Sequence, residues 1–286
     1  MIISIASGKG GTGKTTVATN LAVSVSGPVQ LLDCDVEEPN GHLFLKPSLD
    51  ESREVFSPVP VANKELCTGC GLCAKLCQYS AIICMNNTVM TFPELCHGCG
   101  GCILVCPVSA LGETGKKVGR IESGHANGIS FVHGILDIGV AMSPPLIREV
   151  KNESSGDGIT LIDAPPGTSC PVITSVQDTD FIVLVTEPTP FGLNDLGLAV
   201  AMVQELNIPF GVVVNRHQED NIRARQYCRD NAIRILGEIP DDRRIAEAYS
   251  NGKLASEAIM NYESLFFDIW RKIDDTNKPP DKGNNQ

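Results

Sequence analysis

A glycine-rich stretch near the N-terminus carries the first residues whose types and spacing could do chemistry. SGKGGTGKTT, residues 7–16, contains the complete phosphate-loop pattern G-x-x-x-x-G-K-[ST]. In such a loop, backbone N–H groups face the phosphates, the lysine holds the β- and γ-phosphates, and the following hydroxyl meets Mg²⁺. The stretch therefore predicts a nucleoside triphosphate site formed by Gly8, Gly10, Gly11, Thr12, Gly13, Lys14, Thr15 and Thr16.

Acidic residues that follow two apolar runs could complete such a site. Asp33 and Asp35 follow VQLL, and Asp163 follows ITLI. At phosphoryl-transfer sites, carboxylates at strand ends bind Mg²⁺ through water or position the water that attacks the phosphate. Beside a phosphate loop, these three residues therefore indicate a magnesium–nucleotide site.

Twelve cysteines form the second chemical signal; nine of them lie between residues 67 and 106, and eight of these nine form two closely spaced runs. The pattern C-x₂-C-x₂-C-x₃-C occurs there twice, and each cysteine of the second copy follows its counterpart by 29 residues. A constant offset at four positions indicates two copies of one small unit. In a reducing compartment such thiols bind metal rather than form disulfides.

The cysteine spacing favours two [4Fe–4S] clusters. The alternative is a pair of tetrahedral zinc sites, which usually separate their C-x₂-C pairs by a longer loop. In two-cluster ferredoxin sequences, the fourth cysteine of each run ligates the other cluster. We therefore assign the first cluster to Cys67, Cys70, Cys73 and Cys106. The second cluster takes Cys77, Cys96, Cys99 and Cys102.

The rest of the chain alternates apolar runs with helical stretches. Buried strands are expected at residues 2–6, 29–34, 159–164, 181–186, 210–215 and 233–237. Helical periodicity occurs at residues 13–24, 192–206, 221–231 and 241–272. The expected fold class is α/β, a mostly parallel doubly wound sheet of a P-loop NTPase with a small inserted α+β ferredoxin domain.

The cysteine repeat interrupts this alternation. We predict a nucleotide-binding domain in two parts, residues 1–57 and 113–273, and an inserted domain at 58–112. The polar residues 274–286 are expected to be a disordered tail. The insert lies in the chain between the acidic segments, which are expected to move with nucleotide state.

Composition excludes some functions. The formal net charge of −11 argues against an extended basic face for nucleic acid or anionic lipid. No run of 18 apolar residues occurs, and MIISIASGKGG has no basic region before its apolar stretch. We therefore expect neither stable membrane insertion nor a signal peptide. The expected location is the cytoplasm, and oxygen-sensitive clusters favour an anaerobic bacterium or archaeon.

The phosphate loop, D-C-D at 33–35 and D-A-P-P-G at 163–167 together resemble the MinD, ParA, Mrp and nitrogenase iron protein ATPases, whose Walker A motif is deviant. VTEPTPFGLNDL, VVVNR and EIPDDRRIAEAYSNG match later strand ends of MinD-like members. With its cysteine repeat, the whole chain is similar to members that carry an inserted two-[4Fe–4S] ferredoxin domain. The resemblance implies an ATP-dependent dimer with a second copy or a paralogous ATPase.

The resemblance also implies roles for individual residues. Lys9 would cross into the partner's active site and touch its phosphates, so that hydrolysis by Lys9, Lys14 and Asp35 requires dimerisation. Asp35 would orient the attacking water. Thr15, Asp33 and Asp163 would lie around Mg²⁺.

Weaker matches extend the site towards the base of the nucleotide. Gly167 would sense the γ-phosphate through its N–H. Asn215 would contact adenine, with Pro240 and Asp241 nearby. Cys170 lies close to a cluster ligand of the nitrogenase iron protein, but no cysteine between residues 106 and 170 supplies the second ligand. A cluster shared between subunits is therefore not expected.

Three functions fit these features. In the first, which we favour, ATP binding or hydrolysis gates electron transfer through the clusters to an unidentified redox partner. In the second, the chain is an Mrp-like scaffold or carrier that passes clusters to a partner, although four cysteines on each cluster count against release. In the third, it is a MinD- or ParA-like positioning or cell-division ATPase with a redox-sensing ferredoxin domain. The acidic charge balance disfavours binding of DNA or lipid.

Overall fold

The computed structural model describes residues 1–277, and the six predicted strands are among the eleven found there. The strands are β1 (Ile2–Ala6), β2 (Val29–Asp33), β3 (Ser48–Ala62), β4 (Ile82–Met85), β5 (Thr88–Thr91), β6 (Leu111–Ala126), β7 (Ile129–Leu136), β8 (Ile159–Asp163), β9 (Phe181–Thr186), β10 (Phe210–His217) and β11 (Ile235–Pro240). The helices are α1 (Lys14–Ser24), α2 (Gly41–Leu45), α3 (Leu72–Leu76), α4 (Gly101–Leu104), α5 (Pro144–Asn152), α6 (Cys170–Val176), α7 (Pro190–Glu205), α8 (Arg223–Asp230), α9 (Arg243–Ser250), α10 (Ala255–Ala258) and α11 (Tyr262–Asn277).

Nine strands form one sheet in the order β11-β10-β9-β1-β8-β2-β7-β6-β3. The strands from β11 to β7 pair in parallel, and β6 and β3 are antiparallel additions at one edge. In β9, Phe181 and Val183 pack with α1 and α11, whereas Ile182 and Leu184 pack with α6 and α7. A strand buried on both faces reads as a continuous apolar run, which is why FIVLVT predicts a strand of this kind. The mostly parallel α/β sheet is confirmed.

The edge strands β3 and β6 extend beyond the sheet as a two-stranded ribbon that leads to the cysteines. Their ladder runs from Ser48 opposite His125 to Ala62 opposite Leu111, and only residues 119–126 of β6 also pair with β7. The predicted domain boundaries, 57/58 and 112/113, therefore lie inside one continuous ladder. Sequence reasoning missed β3 because charged residues in SLDESREVFSPVPVA obscure its short alternation of buried and exposed positions.

The cysteine repeat is also a repeat of structure. The helices α3 and α4 begin 29 residues apart, as do β4 and β6. The N–H of Asn63 donates to the carbonyl of Ala110 at 2.7 Å, and the N–H of Phe92 donates to the carbonyl of Ala81 at 2.7 Å. Donors and acceptors of these two bonds are related by the same offset. The bonds therefore support the prediction of two copies of one unit.

The C-terminal region corrects one prediction. The segment 241–272 is divided into α9, α10 and α11, and α11 continues to Asn277. Residues 274–277 are thus helical rather than part of a tail, because the buried Ile273 anchors this turn and Thr276 Oγ1 donates to the carbonyl of Lys272. Residues 278–286, the rest of the predicted tail, lie outside the described residues. Across residues 1–277, no helix combines the length and apolar character needed to cross a membrane.

Candidate nucleotide site and cysteine cavities

The carboxyl ends of the parallel strands surround a cavity of about 400 Å³. This volume lies in the range of roughly 300–1,000 Å³ that is typical of small-molecule sites. The predicted site residues that line it are Gly10, Gly11, Gly13, Lys14, Thr15, Thr16, Asp35, Asn215, Pro240 and Asp241. The predicted residues outside the lining are Gly8, Lys9, Thr12, Asp33, Asp163 and Gly167.

The phosphate loop turns directly into α1, whose first residue is the buried Lys14. Gly13 precedes it with a φ of 94°, and a Cβ there would collide with the side-chain amide of Asn215. Both the left-handed backbone and the close approach require glycine. Asn215 Nδ2 donates to the carbonyl of Thr12 at 2.7 Å. Asn215 therefore fixes the loop from β10, a contribution that the sequence did not indicate.

Two neighbouring segments pack on the start of the same loop. A Cβ at Gly8 would collide with the carbonyl of Asp195 in α7. On the other side, the N–H of Gly167 donates to the carbonyl of Ser7 at 3.0 Å, and Gly167 has a φ of 100°. The predicted γ-phosphate sensor thus holds the loop through the same N–H in this structure.

Two buried carboxylates lie opposite each other beside the loop, Asp33 on β2 and Asp163 on β8. Thr15 Oγ1 donates to Asp163 Oδ2 at 2.5 Å, while the buried Asp163 Oδ1 has no hydrogen-bond partner within residues 1–277. Burial raises the pKa of Asp163 to about 7, and Thr15 and Lys14 oppose the rise. Burial, reinforced by Asp163, also raises the pKa of Asp33. A divalent cation would favour the ionised forms, and these oxygen donors fit Mg²⁺.

Asp33 also organises the chain that follows β2. Its Oδ2 accepts from the N–H groups of Gly41 at 2.9 Å and Asn40 at 3.1 Å, and its Oδ1 accepts from that of Asp35 at 3.2 Å. Asp35 itself lines the cavity. Burial raises the pKa of Asp35 to about 6, and Lys14 opposes the rise. A carboxyl group that titrates near neutrality at this position can orient water.

Lys9, which is not among the residues lining the cavity, forms an ion pair within its own chain. Its Nζ lies 3.1 Å from Glu187 Oε1, and Arg216 Nη1 donates to Glu187 Oε2 at 3.2 Å. Glu187 is largely buried, whereas the side chain of Lys9 is 32% exposed. Sequence reasoning did not select Glu187 or Arg216, although both lie in the segments that carry the family resemblance.

Residues from β11 and α9 also line the cavity. Pro240 and Asp241, which sequence reasoning selected, are joined there by Arg243 and Tyr249, which it did not. The ring of Tyr249 contacts that of Phe44 in α2, with centroids 4.6 Å apart. An aromatic ring in the wall of such a cavity can pack against the flat face of a base.

The eight clustered cysteines divide into two sets of four, and each set lines its own cavity. The first cavity is lined by Cys67, Cys70, Cys73 and Cys106. The second is lined by Cys77, Cys96, Cys99 and Cys102. The fourth cysteine of each copy thus lies in the cavity of the other copy, as in the crossed assignment made from the spacing.

Local donors and burial affect the thiols unequally. Burial opposes ionisation of Cys106, but the N–H of Ala110, 3.2 Å from its Sγ, and neighbouring N–H groups lower its pKa. Burial raises the pKa of Cys73 and Cys102, which are equivalent positions of the repeat. The thiolate is the form that binds metal. Of these three cysteines, Cys106 therefore ionises to the metal-binding form most readily.

The cysteines are not arranged around a single ion. In the part of the chain that the structure describes, no group of three or more His, Cys, Asp or Glu side chains could hold a metal ion. Four cysteines are among the residues that line each cavity, and four thiolates are the donor set of a four-iron cluster. The half-buried Cys84 lines neither cavity and donates instead to the carbonyl of Gly69 at 3.4 Å.

Comparison with known proteins places this geometry in a family. The model of the CobQ/CobB/MinD/ParA nucleotide binding domain matches residues 3–255. The chain belongs to this family. Its members are P-loop ATPases, which agrees with a phosphate loop at the carboxyl end of a strand in a parallel sheet.

Individual relatives extend the comparison. The chain is 31% identical to an uncharacterized protein of Methanocaldococcus jannaschii, with 93% of each chain covered. It is 27% identical to an iron-sulfur cluster carrier protein of Aquifex aeolicus, over 88% of this chain and 60% of that protein. The septum site-determining protein MinD of Pyrococcus horikoshii, solved with Mg-ADP, has a similar structure, with a TM-score of 0.62, 21% identity and 96% of each chain covered. At that identity the likeness concerns the fold.

Proposed function

We propose that this protein is an ATP-binding and ATP-hydrolysing dimeric switch whose nucleotide state is coupled to electron transfer through two [4Fe–4S] clusters. Family membership supports the nucleotide part of the proposal. The observation that carries the redox part is the division of eight cysteines into two cavities of four, because each such cluster requires four thiolates. The continuous β3–β6 ladder connects both cavities to the sheet that bears the nucleotide cavity.

In the half of the molecule that contains the nucleotide cavity (the nucleotide half), each site residue has a distinct task. Lys14 meets the phosphates at the N-terminus of α1, where the helix dipole also favours negative charge. Thr15 and Asp163 would hold Mg²⁺, and Asp163 Oδ1, which has no hydrogen-bond partner among residues 1–277, would be available as a ligand. Asp33 shapes the adjoining loop and adds negative charge nearby. Asp35 orients the attacking water.

Dimerisation completes this half. Lys9 leaves Glu187 and reaches the phosphates held by a second copy or a paralogous ATPase, where its charge stabilises the transition state. The exposure of Lys9 supports this role, because a partly exposed ion pair is weak and breaks at little cost. We expect Lys9→Ala to retain ATP binding and to lose the dependence of turnover on protein concentration, which ATPase assays at increasing concentration will measure.

In the half of the molecule that contains residues 67–106 (the cysteine half), the chain supplies the cluster ligands. When bound, each [4Fe–4S] cluster accepts or donates one electron. The N–H groups of Ala110 and Gly98, 3.2 and 3.4 Å from the sulfurs of Cys106 and Cys96, stabilise negative charge on those sulfurs. An unidentified redox protein is the partner.

Cluster carriage is the second candidate, and the similarity to the Aquifex aeolicus carrier protein favours it. The two cavities of four thiols count against it, because four protein ligands retain a cluster more firmly than a transfer site would. Incubation with a cluster-free acceptor ferredoxin separates the two functions. A carrier loses iron to the acceptor, whereas an electron-transfer protein keeps its iron.

The decisive experiment is anaerobic purification followed by redox titration with and without MgATP. We expect about eight iron and eight sulfide per chain, and a shift in potential of at least one cluster when MgATP binds. Zinc in place of iron would overturn the redox function. Full iron content, together with reduction potentials that do not change when MgATP binds, would show that the ATPase and the clusters are not coupled.

A further inference from the structure

The two cysteine cavities differ in their surroundings. Within the described residues, the first cavity is lined only by positions 67–111. The second is also lined by Pro58, Val59, Pro60 and Glu113 of the ribbon. The second set therefore borders a longer stretch of the ribbon, whereas the first set meets β6 only at its first residue, Leu111.

One ligand of the second set faces the nucleotide half directly. Cys96 lies on a groove whose other walls include Val140 and Met142, from the loop that precedes α5. Lys116 of β6 also lines this groove, and its Nζ donates to the carbonyl of Pro93 at 3.4 Å. The segment that carries Cys96 is thus held on the ribbon and packed beside the loop at 140–145.

The same loop is tied to the nucleotide cavity on its other side. Ser143 is buried, and its Oγ donates to Glu37 Oε1 at 3.1 Å. Glu37 is two residues from Asp35, which lines the nucleotide cavity. The intervening Val36 accepts a backbone bond from the end of β7 at 2.9 Å. The chain after β2 and the loop at 140–145 are therefore joined by a side-chain bond, and the same chain is bonded through its backbone to the end of β7, which leads into that loop.

We propose that Glu37 and Ser143 are positioning residues that couple the nucleotide cavity to the second cysteine set. This inference rests on the proposed function and deepens it by naming which cluster responds and through which contact. Nucleotide binding at Asp35 shifts the following residues, Ser143 carries that shift into the loop at 140–145, and the loop changes the packing around Cys96. The first set lies beyond this contact and responds weakly.

Four variants test this connection. Ser143→Ala and Glu37→Ala remove the bond. Glu37→Gln retains an acceptor oxygen for the Ser143 hydroxyl and serves as the conservative variant. Ser154→Ala is the matched control, because it removes a hydroxyl just beyond the opposite end of α5, where its partner is Thr160.

Two measurements are made on the cluster-loaded protein with saturating MgATP. Hydrogen–deuterium exchange compares residues 93–99 with residues 67–73. Redox titration monitored by electron paramagnetic resonance gives the potential of each cluster, and the signals are assigned with Cys70→Ser and Cys99→Ser. In the wild type, Glu37→Gln and Ser154→Ala, we expect MgATP to slow exchange in 93–99 and to change the reduction equilibrium of the second cluster about tenfold, which is about 59 mV.

In Ser143→Ala and Glu37→Ala, we expect both responses to disappear while MgATP still binds. A response confined to the first cluster, or one that survives in Ser143→Ala, would overturn this inference and leave the proposed function standing. If neither cluster of the wild type responds to bound MgATP, the coupling in the proposed function fails, and this inference fails with it.

Discussion

The nucleotide half and the cysteine half of this protein are built in opposite ways. The nucleotide cavity is lined by residues from Gly10 to Tyr249, which only the complete parallel sheet brings together. The cysteine cavities take their thiols from one short run, residues 67–106, whose spacing already groups them. The nucleotide site therefore depends on the whole fold, whereas the cysteine sites depend on local spacing and on the cluster that they bind. We therefore expect substitutions that disable one half to leave the other half intact.

The largest expected effect is the loss of a whole cluster. Cys99→Ser should remove the second cluster and about four iron atoms per chain, because a hard hydroxyl replaces one of four thiolates. Cys77→Ser should affect the same signal as Cys99→Ser, although Cys77 belongs to the first sequence copy. Iron analysis and electron paramagnetic resonance measure both, and ATP binding should persist.

Cys84→Ser is the matched control for these variants, since Cys84 lies among the ligands but lines neither cavity. It should retain full iron. If Cys77→Ser instead removes the signal that Cys70→Ser removes, the crossed assignment is wrong and each sequence copy holds its own cluster.

The second prediction concerns the nucleotide half. Lys14→Ala should lower ATP turnover by about 10²–10³-fold, because the charge that stabilises the transferring phosphoryl group is lost. Its iron content and cluster signals should match the wild type. Lys64→Ala, an exposed lysine beside the cysteine region, is the control and should leave turnover unchanged. Loss of iron in Lys14→Ala would show that the halves do not fold independently.

A smaller effect is expected where the sheet holds the phosphate loop. Asn215→Ala leaves the carbonyl of Thr12 without its 2.7 Å donor. The expected loss of nucleotide affinity is about 1–2 kcal/mol, or about 5- to 30-fold. Calorimetric titration with ATP analogues measures it, with Asn152→Ala on the exposed end of α5 as control. Equal affinities would mean that the loop keeps its shape without this bond.

The smallest effect is a pH dependence confined to the nucleotide half. The pKa of Asp163 is raised to about 7 and that of Asp35 to about 6, mainly by burial. Since Mg²⁺ requires ionised carboxylates, Mg–nucleotide binding releases protons, and between about pH 6 and 7, where Asp163 alone titrates, affinity should rise by at most about tenfold and then level off at higher pH. Affinity should depend less on pH in Asp163→Asn. A steeper dependence in that variant would contradict this assignment.

In the absence of Mg²⁺, the raised pKa of Asp163 predicts that stability changes with pH in the opposite direction to nucleotide affinity. Between pH 3.8 and about 7, native Asp163 holds a proton that the unfolded chain releases. The free energy of unfolding should therefore fall as pH rises through this window. Thermal unfolding of the wild type and Asp163→Asn, measured in chelator, tests this sign.

What the sequence predicted follows the same division between the two halves. The phosphate loop, the cysteine sets and the central strands were predictable because each is a local pattern, such as the left-handed glycine at position 13 or the offset of 29 residues. Arg216 and Arg243 were not selected, because their place at the nucleotide cavity follows only from the order of strands in the sheet. Strand β3 of the ribbon was missed because it is amphipathic, polar and adjacent to a stronger signal.

The continuous β3–β6 ladder has a consequence for how this architecture can arise. The residues at which the cysteine region begins and ends, Ala62 and Leu111, are already paired neighbours. Residues 63–110 therefore take the place of the turn of a β-hairpin formed by β3 and β6. Closing a longer loop at such a point adds little entropy cost. A two-residue turn and a complete cysteine unit are therefore interchangeable endings of the same hairpin. Small domains can be gained or lost there without altering the order of the strands.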